Sequence, residues 1–267
     1  MLLHESAPEG PTGVPAARTA SSTRREILLV LGLSLGASAV YSVLEFIDAA
    51  TRGPIGQQST APLNPSLSNR AFFDIAYNLL GWFFDIVPVL LALYLLATPA
   101  LGGLRRVGLD LRRPRFDLLA GVGLTALIGI PGLGLYELAR ALGQNLHVST
   151  DGLGGAWYAV PLLIVSALRA ALQEEVIVIG YLAERLRELR WRTWAIVLAP
   201  ALLRGSYHLY QGWGGFLGNA AMGVVFGLFY QRYGRTAPLV VAHFILDVVS
   251  FVGVAVLSVV APQLLPK

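Results

Sequence analysis

Apolar residues gather in seven runs, 27–47, 72–97, 118–138, 157–182, 193–210, 216–230 and 237–260, separated by short polar segments that carry most of the arginines. A helix needs about 20 residues to cross the hydrocarbon core of a bilayer, and each run is close to or above that length except 216–230, which is expected to tilt or to be flanked by interfacial aromatics. Residues 1–26 are rich in Ala, Pro, Gly, Ser and Thr and lack apolar periodicity, so they read as a disordered cytoplasmic tail. The pattern therefore predicts an all-α, polytopic transmembrane bundle of about seven spans over residues 27–262. No internal repeat, glycine-rich phosphate loop or heptad is present.

Composition agrees with this reading. Of the 267 residues, 55% are hydrophobic and 13% are charged, against about 25% charged in a soluble domain. So few charges cannot cover a water-facing surface. There is no cysteine, which excludes disulfides and thiolate metal ligands. The net charge of +4 does not indicate a nucleic-acid partner in so apolar a chain. The arginines mark topology instead. With the N-terminus in the cytoplasm, the inner segments hold Arg18, Arg24, Arg25, Arg105, Arg106, Arg112, Arg113, Arg115, Arg185, Arg187, Arg190, Arg192, Arg232 and Arg235. The outer segments hold only Arg52, Arg70, Arg140 and Lys267, an asymmetry that follows the positive-inside rule. The expectation is a multi-pass protein of the cell membrane with the lipid bilayer as its solvent. The use of arginine over lysine points to a bacterial plasma membrane. Arg24-Arg25, the apolar run after them and Ala37-Ser38-Ala39 imitate a signal peptide, but the run continues to Ile47, which favours a retained helix.

Ionisable residues within membrane spans are costly and tend to be functional. The fourth run carries Glu174 and Glu175, the fifth Arg204 and His208, and the seventh His243 and Asp247 four residues apart on one helical face. Asp74, Asn78 and Asp85 share a stripe of the second run, where they read as inter-helix polar contacts. Glu45 and Asp48 read as interfacial, and His4 and His147 as solvated. A Glu/His/His cluster supports two chemistries. A carboxylate can act as general base on a water that imidazoles position. Alternatively, the three side chains can bind a zinc that lowers the pKa of water. The H-E-x-x-H arrangement of many zinc hydrolases is absent.

These residues resemble the CPBP family of intramembrane proteases, which includes the type II CAAX prenyl endopeptidases and the bacterial Abi or bacteriocin-immunity proteins. The family pattern is Glu-Glu-x-x-x-Arg, then Phe-x-x-x-His, then His-x-x-x-Asn or Asp. Here Glu174-Glu175, His208 and His243-Phe244-Ile245-Leu246-Asp247 match it, over a core at 157–250. The resemblance implies an endopeptidase acting on a membrane protein or peptide. It also implies that Glu174 activates water with His208 as its partner, that His243 and Asp247 complete the site and support the oxyanion, and that Glu175 assists. No cofactor is expected on this reading, with zinc as the alternative.

Two positions depart from the pattern: Ile179 stands where the family has Arg, and Arg204 where it has Phe. The expectation is that Arg204 supplies the charge Ile179 cannot, pairing with Glu175 or Glu174, because a buried unpaired carboxylate tends to protonate. The competing reading is a degenerate site in a non-catalytic immunity or binding protein. A small transporter is a third, weakened because the Gly129-Ile130-Pro131-Gly132 break has no counterpart elsewhere. Depth sets a further condition. If the fourth span ends near Leu182, Glu174 lies roughly 12 Å in, His243 roughly 9 Å and His208 roughly 22 Å. The three then meet only if the fifth helix starts outside the hydrocarbon or tilts strongly, with Trp191 to Trp194 projecting. A cavity reached from the cytoplasmic side is expected.

Overall fold

The structure, a computed structural model, describes residues 19–59, 64–146, 153 and 156–260, with side chains described as far as residue 253. Among these residues every regular element is helical. In order they are α1 (Ala20–Gly32), α2 (Leu35–Arg52), a 3-10 turn (Ile55–Gln57), α3 (Ala71–Leu96), the short α4 (Gly103–Arg106), α5 (Pro114–Ala141), α6 (Ala159–Glu174), a π-helical stretch (Glu175–Tyr181), α7 (Leu182–Glu188), α8 (Thr193–Tyr207), a second 3-10 turn (Leu209–Gln211), α9 (Trp213–Tyr233) and α10 (Ala237–Val260). His4 and His147 lie outside the described residues.

By length and composition, α3, α5 and α9 can each cross a membrane, and the α1–α2 pair makes a fourth span if its 58° bend is counted within one crossing. Leu79, Leu80, Phe83, Phe84, Leu90 and Tyr94 stand exposed along α3. Such an exposed apolar face, on a helix long enough to span a bilayer, is what a lipid-facing helix presents, and the protein is a multi-pass membrane protein.

The elements refine the apolar runs in four places. The tail expected to be disordered to residue 26 is helical from Ala20, with Thr19 capping the Ser22 amide. The first run is not one helix but two, bent at Leu33–Ser34. The expected break at residues 129–132 is absent, since α5 runs unbroken through Pro131; in apolar surroundings no water replaces helical hydrogen bonds, so one proline does not end the helix. The fourth span does not stop at Leu182 but continues through α7 to Glu188.

That last extension is fixed by charge. Arg185 donates from Nε to Glu26 at 2.7 Å, from Nη1 to Glu188 at 2.9 Å and from Nη2 to the Leu95 carbonyl at 2.6 Å. Arg106 also reaches Glu188, at 2.7 Å. One guanidinium thus ties α1 and α3 to α7 at the arginine-rich end of the bundle. The main apolar core lies just inside this layer, built on Val176, Ile177, Ile179, Tyr181, Phe226, Tyr230 and Leu239.

The opposite end is closed by the turn between α8 and α9. Gly212 adopts φ +100° there, and a side chain at this position would collide with the Gln144 carbonyl. The Trp213 amide donates to that carbonyl at 3.0 Å, and the Leu146 amide donates to Gln211 at 3.1 Å.

α10 starts recessed from the arginine-rich surface. A Cβ on Gly180 would lie 3.0 Å from Val107 Cγ1 and 3.2 Å from Thr236 Cγ2, so the residue before α10 sits level with Gly180. Arg235 clamps this recess, donating to Asp117 at 2.7 Å and to Asp110 at 3.0 Å. Burial would raise the Asp110 carboxyl, but the Arg112 amide and the Arg235 guanidinium hold it below the ordinary aspartate range.

These starting points resolve the depth problem. At 1.5 Å per residue, Glu174 lies about 21 Å from Glu188 and His208 about 22 Å from Thr193. His243 lies about 9 Å into α10, whose start beside Gly180 is itself about 12 Å in. All three stand at one level, mainly because the fourth span is longer than its apolar run and α10 begins inside the bundle. Trp191 and Trp194 are exposed at this end.

Candidate active site

Consecutive residues on an α-helix point about 100° apart, so Glu174 and Glu175 would ordinarily face different neighbours. Here α6 gives way to the π-helical stretch at Glu175. Such widened turns recur at functional sites. Both carboxylates are buried and both meet one guanidinium: Arg204 Nη1 donates to Glu175 Oε1 at 2.6 Å, and Nη2 lies 3.3 Å from Glu174 Oε2. Arg204 is fully buried, in the last turn of α8.

His243 Nδ1 lies 2.8 Å from Glu175 Oε1 and 3.2 Å from Arg204 Nη2. Protonated, Nδ1 donates to Glu175; unprotonated, it accepts from Arg204. On the other side of the ring, Nε2 is 3.4 Å from Asp247. The result is a continuous polar chain, Asp247–His243–Glu175–Arg204–Glu174, running from α10 to the fourth span, across to α8 and back.

Glu174 is the end of that chain. Its Oε2 accepts from the Tyr207 hydroxyl at 2.8 Å as well as facing Arg204, and His208 Nε2 stands 3.7 Å from the same oxygen. Oε1 carries none of these contacts. His208 Nε2 is buried without a hydrogen-bond partner among the described residues. Gln211 Nε2 approaches His208 Nδ1 at 3.5 Å, which favours the tautomer with the proton on Nε2.

The structure brings together every residue singled out for the site: Glu174, Glu175, Arg204, His208, His243 and Asp247. The Glu174–His208 approach is 3.7 Å, whereas a separation beyond roughly 10 Å, the offset in depth that the apolar runs alone give, would have ruled out a shared cluster. Arg204 pairs with both glutamates rather than one of them. Sequence reasoning missed Tyr207 and Gln211; the polar-aromatic cluster Tyr207-His208-Leu209-Tyr210-Gln211, inside an otherwise apolar run, was the available signal.

The other intramembrane polar groups lie apart from this chain. Asp74 accepts from the Leu67 amide, the Asn78 side chain and Tyr158, a fully satisfied structural contact. Asp85 pairs with Arg169 at 3.1 Å, and Arg169 also donates to Gln173 at 3.2 Å.

Exposure at the site runs opposite to the expected cytoplasmic cavity. Toward the arginine-rich end, residues Val176 to Tyr181 are sealed, whereas His208 and Asp247, on the side away from it, keep 18% and 19% of their side-chain surface. The reason is the recessed start of α10, which packs Thr236 and Leu239 into the space on the arginine-rich side.

Glu174, Glu175 and His243 each offer one ligand atom within 4.8 Å of the others, the donor set of a metal site. As arranged, these residues do not fit a divalent ion. Zinc needs ligands at about 2.0–2.2 Å, and the Arg204 guanidinium already contacts all three side chains.

Residues 156–249 match the family model described as type II CAAX prenyl endopeptidase, Rce1-like. The resemblance carried by the three motifs therefore holds, and it covers the part of the chain that builds the site, from α6 to α10. That model describes a family of membrane-bound proteases, to which this core is similar. No curated protein and no solved structure matches the chain.

Proposed function

We propose that the protein is an intramembrane endopeptidase that hydrolyses a peptide bond of a membrane protein or peptide. One observation carries the reading: Glu174 has Oε2 fixed by Tyr207 and Arg204 and Oε1 left without those contacts, with an unpartnered His208 Nε2 beside it. A general base needs such a free lone pair within reach of water, and an oxyanion needs such a donor.

In the proposed reaction Glu174 Oε1 takes a proton from water, and the oxygen attacks the scissile carbonyl carbon. His208 Nε2–H donates to the developing oxyanion. As the carbon–nitrogen bond breaks, the proton held on Glu174 passes to the leaving amine. Arg204 pairs with Glu174 beforehand, and His243, oriented by Asp247, holds Glu175 on the far side of the guanidinium. The metal-free glutamate mechanism is favoured by the position of Arg204. Water would approach through the partly exposed side at His208 and Asp247.

We further propose seven crossings with a cytoplasmic N-terminus in a bacterial plasma membrane; the three long apolar helices α3, α5 and α9, the bent α1–α2 pair and the alternation of arginine-rich and arginine-poor segments support this reading. A second reading, a non-catalytic immunity or binding protein, is favoured by Ile179 in place of the motif arginine. The deciding experiment is a library of tagged membrane peptides in liposomes carrying wild-type protein or Glu174→Gln. Cleavage by the wild type alone is expected. A folded wild type that cleaves nothing across a broad library would reject the protease.

A further inference from the structure

The three side chains with the chemistry of a cation site all touch one guanidinium. Arg204 Nη1 is 2.6 Å from Glu175 Oε1, and Nη2 is 3.3 Å from Glu174 Oε2 and 3.2 Å from His243 Nδ1. The packing around the arginine holds it there. Its guanidinium carbon lies 5.5 Å from the centre of the Phe226 ring, and Nη2 is 3.6 Å from Met222 Sδ. Beside it Gly223 lets α9 approach α8, for a Cβ on Gly223 would stand 2.7 Å from Ala201 Cα and 3.4 Å from Arg204 Cδ. The group is fully buried, and long charged side chains are seldom so enclosed unless paired.

We propose that Arg204 is the resident cation of this site. It stands where a divalent ion would otherwise sit among Glu174, Glu175 and His243, and removing its guanidinium converts the pocket into one that takes a divalent metal or a free guanidinium. Two carboxylates and an imidazole within 4.8 Å need a positive charge between them. An ion at ligand distance from those same atoms would lie against the guanidinium in a low-dielectric interior, where like charges repel strongly. The site therefore holds one cation or the other. A planar guanidinium with several fixed N–H donors can bridge both carboxylates at once, which an ammonium cannot do equally well.

This deepens the protease reading, but its test reads cation binding and not cleavage, so the two can fail separately. Tag-free wild type, Arg204→Ala and Arg204→Ala/Glu175→Gln are titrated with Co2+ in nanodiscs, and the visible absorption of the ion reports coordination by nitrogen and oxygen ligands. The expected result is no Co2+ at this site in wild type, one Co2+ per chain in Arg204→Ala, and binding weakened again by at least about tenfold in the double variant. In parallel, methylguanidinium raises the thermal midpoint of Arg204→Ala and leaves that of wild type unchanged. Wild type that binds Co2+ through Glu175, shown by loss of the signal in Glu175→Gln, overturns the proposal without needing any arginine variant. So does a folded Arg204→Ala that neither takes Co2+ nor responds to methylguanidinium. Arg204→Gln, which keeps more of the side-chain volume, replaces Arg204→Ala should the latter not fold.

Discussion

At the scale of single residues, the site divides into groups the sequence marked and groups that only packing could reveal. Glu174, His208 and His243 were legible because carboxylates and imidazoles inside apolar runs have few cheap explanations. The role of Arg204 was legible as a missing charge, since Ile179 left two adjacent glutamates without the arginine their pattern calls for. Tyr207 was not, because a tyrosine in a membrane helix is common and its hydroxyl direction depends on how α8 is rotated. Yet its hydroxyl donates to Glu174 at 2.8 Å. Tyr207→Phe removes only that oxygen. A hydrogen bond to a charged group contributes about 1.5–3 kcal/mol, so kcat is expected to fall roughly 10- to 100-fold. KM should stay within about twofold, because the hydroxyl orients the base and does not bind substrate in the ground state. Steady-state kinetics on any peptide the wild type cleaves will check this; an unchanged kcat, or a rise in KM alone, would remove Tyr207 from the machinery.

At the scale of elements, hydropathy located the helices well where a run is uniformly apolar, and poorly where a helix runs on through charges. α3 and α10 begin and end within a residue of their runs. α7 was invisible because Glu184, Arg185, Arg187 and Glu188 end the apolar pattern, although their ion pairs are what continue the helix. The close approach of α8 and α9 was also hidden, since it depends on which glycines face a neighbour. Gly223 does, with Ala201 Cα at 2.7 Å from where a Cβ would be, whereas Gly81 on α3 has nothing within 4 Å. Gly223→Ala must push α8 away from α9, because the atom it meets is backbone. Overpacking of this kind costs about 1–3 kcal/mol. Because Arg204 moves with α8, peptidase activity should also drop by more than about tenfold, as small misplacements of catalytic groups do. Gly81→Ala, which only gains helix propensity, should be neutral or stabilising by about 0.5–1 kcal/mol. Thermal unfolding in detergent, read beside activity, separates the two; equal behaviour of both variants would mean that the α8–α9 spacing does not set the site.

At the scale of the whole molecule, the family match covers only the C-terminal core, but the bundle is not divided there. Glu26 of α1 and the Leu95 carbonyl of α3 both hold Arg185, so the helices before the match brace the end of the span that carries the glutamates. Charge asymmetry is the one sequence signal that speaks about the molecule as a whole, and it orients every helix at once. On the proposed topology the segment around Leu111, between Arg106 and Arg113, faces the cytoplasm, and the end of α5 around Leu142 faces the other side. Both residues are well exposed, at 90% and 63%. The chain has no cysteine, so a single introduced thiol reports its position without background. In intact cells, Leu142→Cys should react with a membrane-impermeant maleimide, and Leu111→Cys should react only after the membrane is opened. The reverse pattern would invert the protein in its membrane and put the sealed side of the site, Val176 to Tyr181, toward the outside. Reaction of both from one side would mean that α5, the longest apolar helix, does not cross, and the seven-crossing arrangement would fall with it.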